Sequence, residues 1–200
     1  MDGPPFLLGG SAWLNLVNTR FRHNKEVHDV LDDPESALQW LHINQLIRGS
    51  GTLLGSNTDD VLREACAELK SFREICEEIL ADLEKDNELS ASVLMKLNEQ
   101  TESLSIRTTA VLSEGKLTLA YEGISDIDHM LYLIIRSIAD TFDVYSPDRI
   151  RKCEHEECIL HFVDTSKSGK RRWCRMEVCG NRHKAAEFYA KKKKTNTPNL

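Results

Sequence analysis

Four cysteines near the C-terminal end, Cys153, Cys158, Cys174 and Cys179, constrain this 200-residue chain more than any other feature. Each pair encloses four residues, and fifteen residues separate the pairs. Two such thiol pairs can bend round to present four soft ligands at tetrahedral angles, the arrangement of a structural Zn²⁺ site. Disulfides are the competing use of closely spaced thiols. The chain opens MDGPPFLLGG, with no basic-then-apolar leader, so the expected compartment is a reducing cytoplasm, where thiols stay free for metal. His155, His161 and His183 lie in or beside the same loops and are the alternative donors for one of the four positions. The other two cysteines, Cys66 and Cys76, are ten residues apart in a helical stretch. Ten residues of helix rise about 15 Å, beyond disulfide reach, so both read as core thiols.

Charge divides the chain in two. The formal net charge is −6, yet from Ser146 onward there are fourteen Lys and Arg against seven Asp and Glu, while the preceding residues hold twelve against twenty-five. Four thiolates around zinc would add −2 to the C-terminal part and still leave it positive. An acidic body thus carries a basic head, a polarity suited to a polyanionic partner. No run approaches the ~20 apolar residues of a membrane helix.

Along the chain, Ser11 to Val17 alternates and reads as a strand. Asp33 and Pro34 supply an N-cap and a first-turn proline for a helix whose apolar positions run through Ala37, Leu38, Trp40, Leu41 and Ile47 to a stop at Gly49. Gly51 to Gly55 reads as loop. From Thr58 to Lys85 apolar residues recur every three or four positions, a long amphipathic helix, and another follows Ser90. Thr108–Leu112 and Lys116–Tyr121, joined by Ser-Glu-Gly, read as a hairpin. Ser125 and Asp128 form a capping box with aspartate in place of Glu or Gln, opening a helix that runs past Phe142 and ends near Pro147. There acidic composition gives way to basic. The reading is a mainly α, α+β chain: an amphipathic helical domain with a small antiparallel sheet over 1–146, a four-cysteine module over 147–192, and a basic, polar tail over 193–200.

Within the module, Phe162 and Trp173 can build the small apolar core that four metal bonds support. Gly180 follows Cys179 directly, and a helical run begins near Lys184, so Asn181 and Arg182 stand at a helix start, where Asn181 either caps the helix or helps bind phosphate. Lys170, Arg171, Arg172, Arg175, Arg182 and Lys184 are the candidate nucleic-acid contacts, because metal-held loops pre-order them. The run Lys191 to Lys194 is either a further contact or a solvated tail. Asn15, Asn18, Thr19 and Arg20, with His23 and His28, form the one polar cluster that could line a small-molecule pocket; hydrogen bonding at a strand end is the plainer use.

The chain resembles the bacterial proteins that join an N-terminal ABATE domain to a C-terminal CGNR zinc finger. The finger resemblance rests on Cys153, Cys158, the stretch Phe162-Val163-Asp164-Thr165-Ser166, Arg171-Arg172 before Trp173-Cys174, and Cys179-Gly180-Asn181-Arg182. The N-terminal one rests on Gly9-Gly10 and Leu14-Asn15-Leu16-Val17-Asn18-Thr19. Members usually carry an aspartate where this chain has Asn15, an amide that keeps the shape and loses the charge. The resemblance implies a stress-linked transcription regulator whose finger binds DNA and leaves the role of the N-terminal domain undefined. The reading adopted on the residues is a finger on double-stranded DNA, with the helical body sensing a small-molecule effector or forming a homodimer. A finger serving as an adaptor for protein or RNA is the alternative. An enzyme is the remaining class. It is disfavoured because a catalytic zinc keeps an open position and no nucleophile–base pair stands out.

Overall fold

A computed structural model describes residues 6–48 and 58–195. The expected helix stop at Gly49, the Gly51–Gly55 loop and the last five residues of the tail lie outside the described residues.

The segment expected to be a strand is a helix. Helix α1 spans Ala12–Val17, with Trp13, Leu14, Asn15, Leu16 and Val17 all buried. A run buried on every side has no polar face to reveal its period, which is why alternation misled. Trp13 N donates to Ser137 Oγ at 3.0 Å and Trp13 Nε1 to Thr141 Oγ1 at 3.1 Å, so the turn is nailed to the C-terminal helix of the body. Two four-residue strands follow, β1 (Arg20–His23) and β2 (Glu26–Asp29), paired antiparallel. Asn24 and Lys25 make the turn at φ of 50° and 70°, the left-handed geometry of a two-residue hairpin.

Helix α2 spans Pro34–Ile43 with Asp33 as its N-cap, accepting from Ser36 N at 2.8 Å. It ends before the expected Gly49. Gln45 takes the left-handed position at φ 56°, Gln45 N donates to His42 O and Leu46 N to Leu41 O, a Schellman closure without glycine. Helix α3 covers Thr58–Asp86, 29 residues or about 43 Å of length. Its inner stripe, Leu62, Ala65, Leu69, Phe72, Cys76, Ile79 and Leu83, is buried. Cys66 and Cys76 are unpaired core thiols. Helix α4 (Ala91–Ser103) is capped by Ser90, and helix α5 (Asp126–Val144) by the Ser125–Asp128 capping box. Between them, β3 (Ile106–Ser113) and β4 (Lys116–Gly123) form the expected hairpin around Glu114 and Gly115, both at positive φ.

The C-terminal part begins with β5 (Ile150–Lys152), paired antiparallel with β6 (His161–Val163). A single π-helical turn, Met176–Gly180, leads into helix α6, Asn181–Thr195, which runs on through the lysine stretch. The expected sheet is therefore three separate two-stranded ribbons.

Strand β6 is shared between two cores. Successive side chains of a strand point to opposite faces. Val163 accordingly joins the core built by α1, α3 and α5, while Phe162, fully buried, packs among the cysteines with Leu160. Leu8 and Phe21 reach across from the N-terminal part to cover that second core. Val163 N donates to Gly9 O at 2.9 Å, His161 Nε2 lies 3.2 Å from Glu84 Oε1, and Asn18 brackets the His161 backbone.

A buried ion pair fixes the other side of the N-terminal segment. Arg73 of α3, 1 % exposed, reaches Asp29 at 2.6 and 2.9 Å and donates to Thr19 Oγ1 at 2.6 Å. Burial alone would raise the Asp29 pKa; hydrogen bonds from Arg73 and Leu31 N and the Arg73 charge outweigh it, so the carboxyl sits below its ordinary value.

Candidate metal centre and basic face

Four sequence-distant thiols meet at one point. The Sγ atoms of Cys153, Cys158, Cys174 and Cys179 all lie within 4.8 Å of one another, with Cys158–Cys174 at 3.7 Å and Cys174–Cys179 at 3.6 Å. A ~2.3 Å Zn–S bond at tetrahedral angles sets sulfurs about 3.8 Å apart, so the donor set fits a zinc ion. Cys153 follows β5, and its N–H is held by Leu160 O at 2.9 Å; Cys158 closes a turn on His155 O at 2.8 Å. Cys174 N donates to Cys153 Sγ at 3.4 Å, and the π-helical turn carries Cys179 inward. Crowding sets the four thiols against each other. Hydrogen bonds from Cys158, Cys174 and Cys179 push the Cys153 thiol far down, while hydrogen bonding to Cys153, Cys158 and Cys179 pushes Cys174 far up. A divalent cation removes that conflict by stabilising every thiolate together.

The histidines stand aside. His155 Nδ1 accepts from Glu157 N at 3.2 Å, His161 faces Glu84, and His183 lies tilted against Trp173 with ring centroids 4.7 Å apart. Among the described residues the four cysteines are the only group of three or more such donors placed to share a metal. Phe21, Arg22 and His23 of β1, with Arg175 and Arg182, edge a small cavity of ≈ 80 Å³ against Cys158, Cys174 and Cys179.

The loop between β6 and Cys174 is organised by a residue that spacing alone did not mark. Asp164, fully buried, accepts from Ser166 N and Arg171 N at 2.9 Å each. Burial would raise its pKa, but the Ser166 and Arg171 hydrogen bonds and the Arg149 charge hold the carboxyl below its ordinary value. Arg149 donates to the carbonyls of Asp164 and Ser166, and Arg151 to those of Gly169 and Arg171. Gly169 sits at φ 63°, and a Cβ there would lie 2.7 Å from Arg149 Cζ. At Gly180 the constraint is space: a Cβ would meet Met176 Sδ at 2.3 Å. The Phe162–Ser166 stretch was the sequence signal for this bracket.

The candidate contacts divide by what they already touch. Arg171 is half-buried, its Nε donating to Trp173 O at 2.9 Å and its other nitrogen to Cys174 O, with the guanidinium 4.4 Å over the Phe162 ring. It braces the finger. Arg175 is also half-buried, and its Nε is enclosed without a hydrogen-bond partner. Lys170, Arg172, Arg182 and Lys184 are exposed. Arg172 lies 4.7 Å over Trp173 and 2.6 Å from Glu154. Asn181 does not cap a free helix end: the π-helical turn precedes it, and its amide donates back to Glu177 O at 3.2 Å. Helix α6 is exposed at every residue from Lys184 to Lys192.

The N-terminal polar cluster is spent on structure. Asn15 Oδ1 accepts from Gly9 N at 2.9 Å and its amide donates to Asn44 Oδ1 at 2.7 Å. Asn18 is turned to His161, Thr19 to Arg73, and Arg20 to Glu77 at 3.2 Å. Asn15 borders a cavity of ≈ 260 Å³ with Gly10, Ser11 and Asn44, whereas Asn18, Thr19 and Arg20 do not line it. The amide of Asn15 thus uses a donor that a carboxylate would lack.

No helix among the described residues is long and apolar enough to cross a membrane. No curated protein matches the sequence. Residues 149–192 match the CGNR zinc finger, and residues 10–126, more than half the chain, match ABATE, described as "Putative stress-induced transcription regulator". The chain belongs to the ABATE family and carries a CGNR zinc finger whose four cysteines lie close enough together to bind a zinc ion.

Proposed function

We propose that the protein is a zinc-stabilised transcription regulator that binds double-stranded DNA through the face formed by helix α6 and the Lys170–Arg172 loop. Cys153, Cys158, Cys174 and Cys179 hold one Zn²⁺, which supplies structure and no chemistry. The finger spans 147–192 on a body of 1–146. The observation that carries the reading is helix α6: nine consecutive residues, Lys184 to Lys192, are exposed, among them Lys184, Lys191 and Lys192. Over these described residues α6 presents no buried face to the rest of the protein, which supports contact with an outside partner. The major groove, ~12 Å wide, admits a helix of ~10–12 Å diameter. Lys170, Arg172, Arg182 and Lys184 reach phosphates or guanine edges, and Arg175 meets the backbone near the metal. Arg171 serves the same surface indirectly by fixing the loop that bears Arg172.

Titration of the full chain against duplex DNA, single-stranded RNA and a neutral polymer at several salt concentrations tests the reading. The expected result is duplex binding whose logarithm falls with log salt by about 0.9 per phosphate contact. Absence of duplex binding above the neutral control, with or without RNA binding, overturns it in favour of an adaptor.

A further inference from the structure

The β3–β4 hairpin leaves the body with one apolar face uncovered. Thr108, Ala110 and Leu112 pair with Tyr121, Leu119 and Leu117 on that face, and Leu112, Leu117, Leu119 and Tyr121 are 75, 76, 56 and 44 % exposed. A lone two-stranded hairpin is marginal in water, and an uncapped edge of apolar residues invites another strand. The edge of β4 also has a register of its own. Around the Glu114–Gly115 turn, Ser113 and Lys116 form the closing hydrogen-bonded pair, so Lys116, Thr118, Ala120 and Glu122 aim their backbone groups at β3. Leu117, Leu119 and Tyr121 therefore aim theirs outward. Gly123 does too, and its carbonyl is taken by Arg48. Among the described residues no strand occupies the outer edge between Leu117 and Tyr121.

We infer that this edge pairs with the same edge of a second copy, antiparallel about a two-fold axis through Leu119. The sequence Lys116-Leu-Thr-Leu-Ala-Tyr-Glu122 is complementary to itself in that register. Lys116 falls opposite Glu122 of the second copy, Leu117 opposite Tyr121, Thr118 opposite Ala120, and Leu119 opposite itself. The pairs Leu117–Tyr121 and Leu119–Leu119 are those whose backbone groups point outward, so hydrogen-bond phase and side-chain register agree. β3 offers no such match: with the axis through Ala110, its central outward-pointing residue, Arg107 would fall opposite Ser113 and Thr108 opposite Leu112, with no pair of opposite charges. Charge complementarity and phase thus select a second copy, and β4 as its docking edge. The product is a four-stranded antiparallel sheet with one continuous apolar face, an isologous dimer.

The pairing is independent of nucleic acid, so it is tested without any. Sedimentation velocity of the full zinc-loaded chain is expected to show a concentration-dependent dimer. Lys116→Glu and Glu122→Lys each place like charges across the axis and raise the dissociation constant about tenfold or more. Mixed together, the two variants form the complementary pairs again, and the heterodimer reappears. Leu119→Lys, at an exposed position, sets two cations against each other on the axis and abolishes the dimer with an unchanged circular dichroism spectrum. A wild-type chain that stays monomeric up to ~100 µM, above the micromolar range of weak specific association, overturns the inference. So does a dimer that Lys116→Glu and Leu119→Lys both leave intact, since it uses another surface.

Discussion

Asn18 and His161 stand 143 residues apart and exchange two hydrogen bonds, the Asn18 amide donating to the His161 carbonyl at 2.8 Å and the His161 N–H donating to Asn18 Oδ1 at 2.9 Å. A primary amide presents one donor and one acceptor side by side, as a peptide group does, so Asn18 substitutes for a strand beside β6. Asn18→Ala leaves both backbone groups unsatisfied and is expected to cost about 1–3 kcal/mol. Asn18→Asp keeps the acceptor and sets an oxygen against the His161 carbonyl, with a loss of similar size. Denaturant unfolding of the zinc-loaded variants measures both, and a loss below ~0.5 kcal/mol for each would show the bracket to be dispensable.

The Asp29–Arg73 pair carries a pH signature. Its folded carboxyl pKa lies below the ordinary 3.8, so the stabilisation is complete above that value and drains away as pH falls through the lower folded value. Asp29→Asn leaves Arg73 buried without its counter-ion, at a cost of about 3–5 kcal/mol near neutrality. The difference in unfolding free energy between wild type and variant should hold steady from pH 7 to 5 and shrink below about pH 4. A difference that does not shrink in acid contradicts the assigned pair.

Arg171 and Arg172 are neighbours with opposite duties, which separate mutants expose. Arg171→Ala frees the carbonyls of Trp173 and Cys174 and removes the cation over Phe162, so zinc should pass faster to a chromogenic chelator, with about 1–3 kcal/mol lost from the finger. Arg172→Ala, at an exposed site, should keep zinc and stability within ~0.5 kcal/mol and weaken duplex binding. Equal zinc release from the two variants would erase the distinction.

Metal removal should be local in its first effect. Chelation, or Cys174→Ser, is expected to disorder the loop and π-helical turn, shifting Trp173 fluorescence, while Trp13 and Trp40 stay buried in the helical core and most helical dichroism remains. Complete loss of helical signal would mean that the body needs the metal.

A fragment ending at Ser146 is expected to fold with mostly helical dichroism but to melt earlier than the full chain. It forfeits Ile150 and Val163 from the main core and the Gly9 and Asn18 partners on β6. Calorimetry of fragment and full chain decides it; equal melting temperatures would make the two cores energetically separate.

Much of this was readable where one local rule acts alone. The stripe of α3, the Ser125–Asp128 box, the Glu114–Gly115 turn and the cysteine spacing each reflect short-range chemistry that a single sequence displays. Helix α1 was not, because Trp13 to Val17 are buried all round and their period is invisible. The β1–β2 hairpin turns on Asn24 and Lys25, without the glycine that usually announces such a turn, and α2 closes on Gln45 for the same reason. β5 and β6 are three residues each, too short to hold a pattern. The role of Arg171 was hidden differently: composition marks a cation, and only tertiary contact shows it already engaged by Trp173, Cys174 and Phe162.

Helix α6 has a consequence for how such a protein changes over generations. Residues 184–192 are all exposed, so substitutions there escape the penalty that folding imposes on a core position and are limited mainly by helix propensity and local contacts such as His183–Glu187. If α6 is the DNA-facing helix proposed above, its contact surface can be altered by substitution without disturbing Cys179, Phe162 and Asp164, which are buried. The positions that hold the metal and the buried core of the finger are thereby distinct in space from the exposed surface that a binding partner would meet.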